Sequence, residues 1–326
     1  MKKNSQRFRI TAMLLFACML ALTACSSGQN NNLKKEAAEQ LAAGEDNSEL
    51  AMWPRTITDA RGQELTISAK PKKVAVVTWM ITENLMALDT PPIAADSVGA
   101  MAEWASMKDY FQKYSVDNLG DSQTSINLEQ LLDLKPDLIL ATNANADIYD
   151  KLEQIAPLFV FDSGALFSDW QGSIRSVAKV VGEEEKAEKF IEQTMEQVAL
   201  ARQKASEIEK KVGFVRVWNG ALSSFSVDQL AMYYDKEKGI GLTIPDGWPK
   251  ETGALSIESI TTIDPDYLFI SGAEDQAYLE KLEQTAVWKS LRSVKANQVF
   301  AIDLSGLTGG PLAVQYGVRT VIDALN

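Results

Sequence analysis

The chain has 326 residues, with 44 acids against 32 lysines and arginines, no histidine and two cysteines, for a formal net charge of −12. So acidic a protein is a poor partner for nucleic acid or anionic lipid. Without imidazole it also lacks Ser-His and Cys-His nucleophiles and the usual ligands of a bare zinc or manganese site. Lys2, Lys3, Arg7 and Arg9 precede a mostly apolar run over 10–21, which is short for a bilayer span and has the shape of a signal peptide.

Leu22-Thr23-Ala24-Cys25 resembles a lipobox, in which cleavage before the cysteine leaves Cys25 as a lipidated N-terminus. Loss of 1–24 removes Cys18 and takes the net charge from −12 to −16. Cys25 is then the one mature cysteine, and no disulfide can form. Residues 25–55 read as the lipidated cysteine and a polar, flexible tether. The remaining roughly 270 residues exceed one ordinary core and suit two lobes.

From Trp53 onward short apolar runs alternate with amphipathic stretches. Strands are expected at Val74–Val77, Ile93–Ala95, Leu138–Ala141 and Leu158–Phe161, with helices near 82–88, 127–135 and 147–155. Later strands fall at 212–218, 267–270 and 299–302, and a last helix at 311–325. This alternation predicts an α/β fold with largely parallel sheets. Between the halves, 168–210 reads as two helices broken near Gly182. The expected division is a lobe over 56–167, an interlobe helix over 168–182 and a second lobe over 183–326.

A repeat makes the lobes similar. Residues 128–140 read Leu-Glu-Gln-Leu-Leu-Asp-Leu-Lys-Pro-Asp-Leu-Ile-Leu, and 257–269 read Ile-Glu-Ser-Ile-Thr-Thr-Ile-Asp-Pro-Asp-Tyr-Leu-Phe. A Lys-Leu-Glu-Gln segment follows each copy, at 151–154 and 281–284. Upstream, Lys72-Lys73-Val74 leads a strand to Trp79, and Lys210-Lys211-Val212 leads one to Trp218. Two similar lobes imply a shared cleft.

Ligands of open α/β sheets bind beyond the carboxyl ends of the strands. That rule selects Thr78–Ile81, Asp96–Trp104 and Thr142–Asn145 in the first lobe. In the second it selects Trp218–Ser224, Ser271–Glu274 and Leu304–Gly310. Trp79, Trp104, Asn143, Trp218, Tyr234 and Trp248 are the candidate ligand contacts, the aromatics offering wide, stiff walls to a bulky chelate. Arg216 interrupts the apolar strand Val212–Trp218 on the face of Trp218, and could hold an anionic or carbonyl-rich ligand. Asn127 and Ser256 read as N-caps, which places Glu129 and Glu258 in first helical turns favoured by the helix dipole.

The lipobox, the polar tether, the strand entering Val77-Thr78-Trp79, and Asn127-Leu128-Glu129 continuing to Leu134-Lys135-Pro136-Asp137-Leu138-Ile139 resemble bacterial ABC-transporter substrate-binding lipoproteins for iron-siderophore complexes and cobalamin. Ile155-Ala156-Pro157, and Val287-Trp288-Lys289-Ser290-Leu291 with Val299-Phe300-Ala301-Ile302-Asp303, extend the likeness over about 56–326. The resemblance implies two α/β lobes joined by one long helix, with the ligand cleft between them. It implies a monomer on the outer face of the cell membrane that captures a ferric siderophore for an ABC permease. It also implies that Glu129 and Glu258 meet permease arginines, and that a strand arginine such as Arg216 meets the ligand. One departure stands out: ferric-hydroxamate binders of this kind often carry an arginine in the loop matching 96–104, and here the nearest base is Lys108.

No catalytic role, resident cofactor or directly bound metal is expected. The same fold carrying cobalamin, or haem through Tyr233 or Tyr234, is the alternative. A lipid-anchored hydrolase is a more distant one, since paired carboxylates could serve glycoside hydrolysis but no G-x-S-x-G, H-E-x-x-H or Walker loop is present.

Overall fold

The computed structural model describes residues 53–121, 125–272 and 275–325. The expected signal peptide, Cys25, the expected tether through 52 and Glu274 lie outside the described residues. The chain enters through a hairpin of β1 (Arg55–Thr58) and β2 (Glu64–Ile67), whose alternation buries Ile57 and Ile67.

The first sheet holds β3 (Val74–Val76), β4 (Ala94–Ala95), β5 (Asp117–Asn118), β6 (Leu138–Thr142) and β7 (Leu158–Phe161), all parallel in the order β5-β4-β3-β6-β7. β3, β6 and β7 are buried at every position, which is why they read as unbroken apolar runs. The second sheet holds β8 (Val212–Trp218), β9 (Ala221–Ser224), β10 (Gly253–Ala254), β11 (Tyr267–Ser271) and β12 (Val299–Ala301) in the order β10-β9-β8-β11-β12. There β8, β11 and β12 are parallel, while β9 and β10 run antiparallel. The expected loop over Trp218–Ser224 is therefore mostly strand. Asn219 and Gly220 both take positive φ, 50° and 71°, and close a tight hairpin; that dipeptide was its sequence signal.

Helix α1 (Trp79–Ala87) follows β3, and α2 (Leu128–Leu134) leads into β6. Next come α3 (Trp170–Val181) and α4 (Glu184–Ile208), separated at Gly182, whose φ of 74° ends α3 in a left-handed cap. α3 packs on α1, with Ser173 Oγ donating to Asn84 Oδ1 at 3.1 Å. α4 is 25 residues long, about 37 Å at 1.5 Å per residue. Near its start Glu184 pairs with Arg55 and Glu183 with Lys70. Near its end Arg202 donates to the carbonyls of Glu237 and Gly239. The reach from one sheet to the other thus belongs to α4, later in the chain than the expected 168–182. α5 (Ile257–Ile263) leads into β11, and α6 (Pro311–Ala324) closes the chain against α4, α1 and α3.

The repeated motif has a structural cause. Asn127 and Ser256 cap α2 and α5 by accepting from Gln130 N at 3.1 Å and Ser259 N at 3.0 Å. Each helix ends in a left-handed residue, Lys135 and Asp264. The aspartate of each Pro-Asp then accepts the entry amides of the neighbouring strand: Asp137 from Lys72 and Lys73 at 2.7 and 2.9 Å, and Asp266 from Lys211 at 3.0 Å. One buried cluster joins the lobes, taking Val76, Leu140 and Phe159 together with Phe214, Phe269 and Leu312. The outer faces have separate clusters, one around Leu131 and Ile139 and one around Ile260 and Leu268.

Candidate ligand cleft

The carboxyl edges of the two sheets meet. Ala105 N donates to Asp303 Oδ1 at 3.2 Å and Ser106 N to Ser305 Oγ at 3.3 Å. Residues 105–106 follow the first-lobe loop, and 303–305 follow β12. Beside this contact Trp79 opens α1 and Trp104 closes a short helix over Val98–Glu103. Their rings pack edge to face at 5.5 Å and 81°, both half-buried. Much of the loop expected over 96–104 is therefore helical.

Asn143 follows β6 and is exposed. Its side chain accepts from Ser163 N at 3.1 Å and donates to Asp162 at 3.3 Å, tying the ends of β6 and β7 together. Asn145 is buried instead, accepting from Thr142 N at 3.0 Å and donating to Val77 O at 3.2 Å. In the second lobe the half-buried Arg216 guanidinium lies 4.1 Å from the ring centre of Trp218, which is 50% exposed. A cation over an indole face is held by the ring quadrupole, and the stack presents a charged, flat surface at the end of β8.

Two expected contacts fall elsewhere. Tyr234 is buried with its hydroxyl on Val212 O at 2.9 Å, and stands edge to face with Phe214. Trp248 is buried too; its Nε1 donates to Phe225 O at 3.1 Å and its ring fills the space left by Gly213, where a Cβ would come within 2.7 Å. Both are core residues, because a glycine and an aromatic cluster in the sheet left volume that only large rings fill. Tyr233 is likewise buried, donating to Gly306 O at 2.5 Å. Burial pushes both phenols well above their ordinary range. Iron ligation favours the phenolate, so the haem alternative loses the ligands that suggested it.

Of three buried polar groups, Thr78 and Asp96 open loops that the carboxyl-edge rule selected, and Glu83 was not singled out from sequence. Asp96, at the end of β4, is raised to about 6 by burial, partly offset by the Ser97 hydroxyl at 3.1 Å. Thr78 ends the run from β3 and is fully buried. Glu83, on α1, is 1% exposed. An acid amid the buried Ile81, Leu85 and Met86 was the signal available for it. Glu129 and Glu258 are exposed in the first turns of α2 and α5. Among the described residues no group of three or more His, Cys, Asp or Glu is placed to hold a metal, and no helix is long and apolar enough to cross a membrane.

The sequence model of the periplasmic binding protein family matches residues 74–304, from the first residue of β3 to beyond β12. The chain belongs to that family. Among curated members, this binding protein is 28% identical to the Fe(3+)-citrate-binding protein YfmC of Bacillus subtilis, over 92% of this chain and 90% of the relative. It is 27% identical to the probable siderophore-binding lipoprotein YfiY of the same organism, over 89% and 90%. Its fold superposes on Staphylococcus aureus SirA complexed with staphyloferrin B, with a TM-score of 0.64 at 25% identity, covering 83% of this chain and 98% of SirA. Bacillus subtilis FeuA complexed with ferri-bacillibactin gives 0.66 at 21% identity, covering 83% and 98%.

Proposed function

We propose that this binding protein captures a ferric siderophore outside the membrane and delivers it to an ABC permease. The observation that carries the reading is the Arg216–Trp218 stack at the carboxyl edge of one sheet, with the Trp79–Trp104 pair at the carboxyl edge of the other. A flat cation offers paired hydrogen bonds to anionic chelate oxygens, and indole faces cover the organic scaffold. The curated relatives support the iron assignment, since their names give ferric citrate and siderophores as cargo.

In this reading Trp79, Trp104, Asn143, Arg216 and Trp218 touch the ligand, and the protein supplies no catalytic chemistry. Iron is cargo, carried inside its chelator. Cys25 carries the lipid that holds a monomer on the extracytoplasmic face. The first lobe is 56–167 and the second opens at β8, and α4 between them is the strut that keeps the cleft largely formed before the ligand arrives. Glu129 and Glu258, in equivalent first turns, dock on permease arginines and steer association more than they add affinity.

A tryptophan-fluorescence titration of the purified protein tests the cargo. The panel is ferric citrate, a ferric hydroxamate and a ferric catecholate, with cobalamin as control. Saturable quenching by one ferric class below micromolar concentration, about −8 kcal/mol or better, supports the reading. Saturation by cobalamin alone keeps the fold and removes the iron.

A further inference from the structure

Glu83 stands one helical turn after Trp79, so the two side chains share a face of α1. It is buried, and its carboxylate accepts from Ala313 N at 2.5 Å and from the amide of Leu312. Those amides belong to the first turn of α6, which has no side-chain cap of its own: Gly310 precedes it and Pro311 opens it. A Cβ at 310 would lie 2.1 Å from Glu83 Oε2, so a side chain there would push the carboxylate off the helix end. A first-lobe acid therefore closes the amino end of a second-lobe helix, where unsatisfied amides and the helix dipole favour a negative charge.

Among the described residues no cation hydrogen-bonds to it. The charged and titratable groups on the elements packed against α1 are Arg175 and Lys179 on α3, Tyr316, Arg319 and Asp323 on α6, and Asp162 and Asp169 flanking the helix Ser163–Ser168. None of them hydrogen-bonds to Glu83; Arg175 is paired with Glu188.

We propose that Glu83 is the positioning residue that sets the spacing of the lobes, holding α6, and with it the carboxyl edge of the second sheet, against the helix that carries Trp79. Its effect on ligand affinity rests on the ligand-capture reading; the latch itself does not. Burial outweighs the two amides and raises the Glu83 carboxyl from 4.5 to about 7. Parting the lobes admits water and returns it towards the ordinary value. Docked lobes then bind more protons than parted ones between those two values, so acidification favours docking and alkalinisation opposes it.

The test compares the full chain with Glu83→Gln, which keeps the shape and an acceptor oxygen but cannot ionise. Ferric citrate and a ferric catecholate are titrated into both from pH 8 to pH 6, and the ratio of the two dissociation constants cancels the titration of the chelate itself. Gln at 83 is expected to bind at least about fivefold tighter at pH 8, the gap narrowing towards pH 6 and closing only below pH 4.5. A ratio that does not change with pH overturns the proposal. Hydrogen exchange at amides 312 and 313 gives a readout without ligand. Corrected for intrinsic rates, their protection should fall between pH 6 and pH 8 in the wild type and stay level in Glu83→Gln. Level protection in the wild type overturns the latch even if binding changes. Gly310→Ala approaches the same contact from the other lobe and should lower that protection at every pH. If neither chelate binds, a ferric hydroxamate replaces them; if none of the three binds, the cargo reading fails while the exchange data still judge Glu83.

Discussion

The two lobes enter their sheets alike and leave them differently. In both, a capped helix, a left-handed stop and a Pro-Asp clip deliver an apolar strand beside its neighbour. After that neighbour the first lobe turns into α1, which places Trp79 at a helix start. The second turns back through Asn219-Gly220, which leaves Arg216 and Trp218 on a hairpin strand. The repeated sequence therefore encodes strand entry, which is architecture. Of the proposed cleft residues, Trp79 follows and Trp218 ends a strand the repeat matches, whereas Trp104 lies outside it and no arginine of the first-lobe strand matches Arg216.

The cores differ in the same way. Where β3 carries Val76, β8 carries Phe214, stacked on Phe269 at 5.0 Å and against Tyr233 at 4.5 Å. Phe214→Ala should cost ~3–5 kcal/mol and Val76→Ala about half that, because a larger cavity is left in the second lobe. Urea unfolding of both variants measures this. Equal losses would mean that the second lobe collapses around the hole, and that its aromatic cluster is not the distinct core described.

Glu83 sharpens the comparison where the lobes meet. Its folded-state value of about 7 lies above the ordinary 4.5, so the native state holds a proton that the unfolded chain has lost between those pH values. Stability is then fullest below pH 4.5, as far as this group is concerned, and declines as pH rises towards 7. Above that the cost amounts to about 3 kcal/mol. Glu83→Gln should accordingly raise the unfolding free energy at pH 8 and flatten its pH dependence. A variant less stable than wild type at pH 8 would show that the ionised carboxylate is worth more to α6 than its burial costs.

Much of the fold was legible in the sequence. β8 and α6 fall at the expected positions because long, strongly patterned segments resist other readings. The entry hairpin β1–β2 was missed, being short and lying at the end of a polar stretch. Within the proposed site, Arg216 was legible as a candidate because it breaks the pattern of its apolar strand. Aromatics do not announce whether they line a cleft or fill a core. Trp248 is internal because Gly213 leaves room for its ring, and Tyr234 because Val212 offers a carbonyl. Both facts belong to tertiary packing.

That distinction can be tested on the ligand side. Arg216→Ala should weaken an anionic ferric chelate by ~1–3 kcal/mol if the contact is charge-assisted. Tyr234→Phe should leave affinity unchanged while removing a buried hydrogen bond. A fluorescence titration that reversed the two would move the ligand from the β8 edge into the core side of the sheet.

The smallest effects concern the feature the lobes share. Asn127→Ala and Ser256→Ala should each cost ~1 kcal/mol, and equally, since both caps hold one amide at about 3 Å. Glu129→Gln and Glu258→Gln should cost less, ~0.3–1 kcal/mol, through the helix dipole alone. Beyond this the helices part company. Leu132 on α2 is 54% exposed, three residues after Glu129 and on its side of the helix, whereas Thr261 in the same place on α5 bonds back to Ile257 O. If both glutamates meet a permease, the first-lobe contact has an apolar neighbour that the second lacks. Leu132→Thr should then slow uptake of the ferric chelate without changing its affinity, while the equally exposed Leu200→Thr on α4 should not. Uptake that falls with both glutamate variants but not with Leu132→Thr would leave docking to charge alone, and the two lobes equivalent in that role.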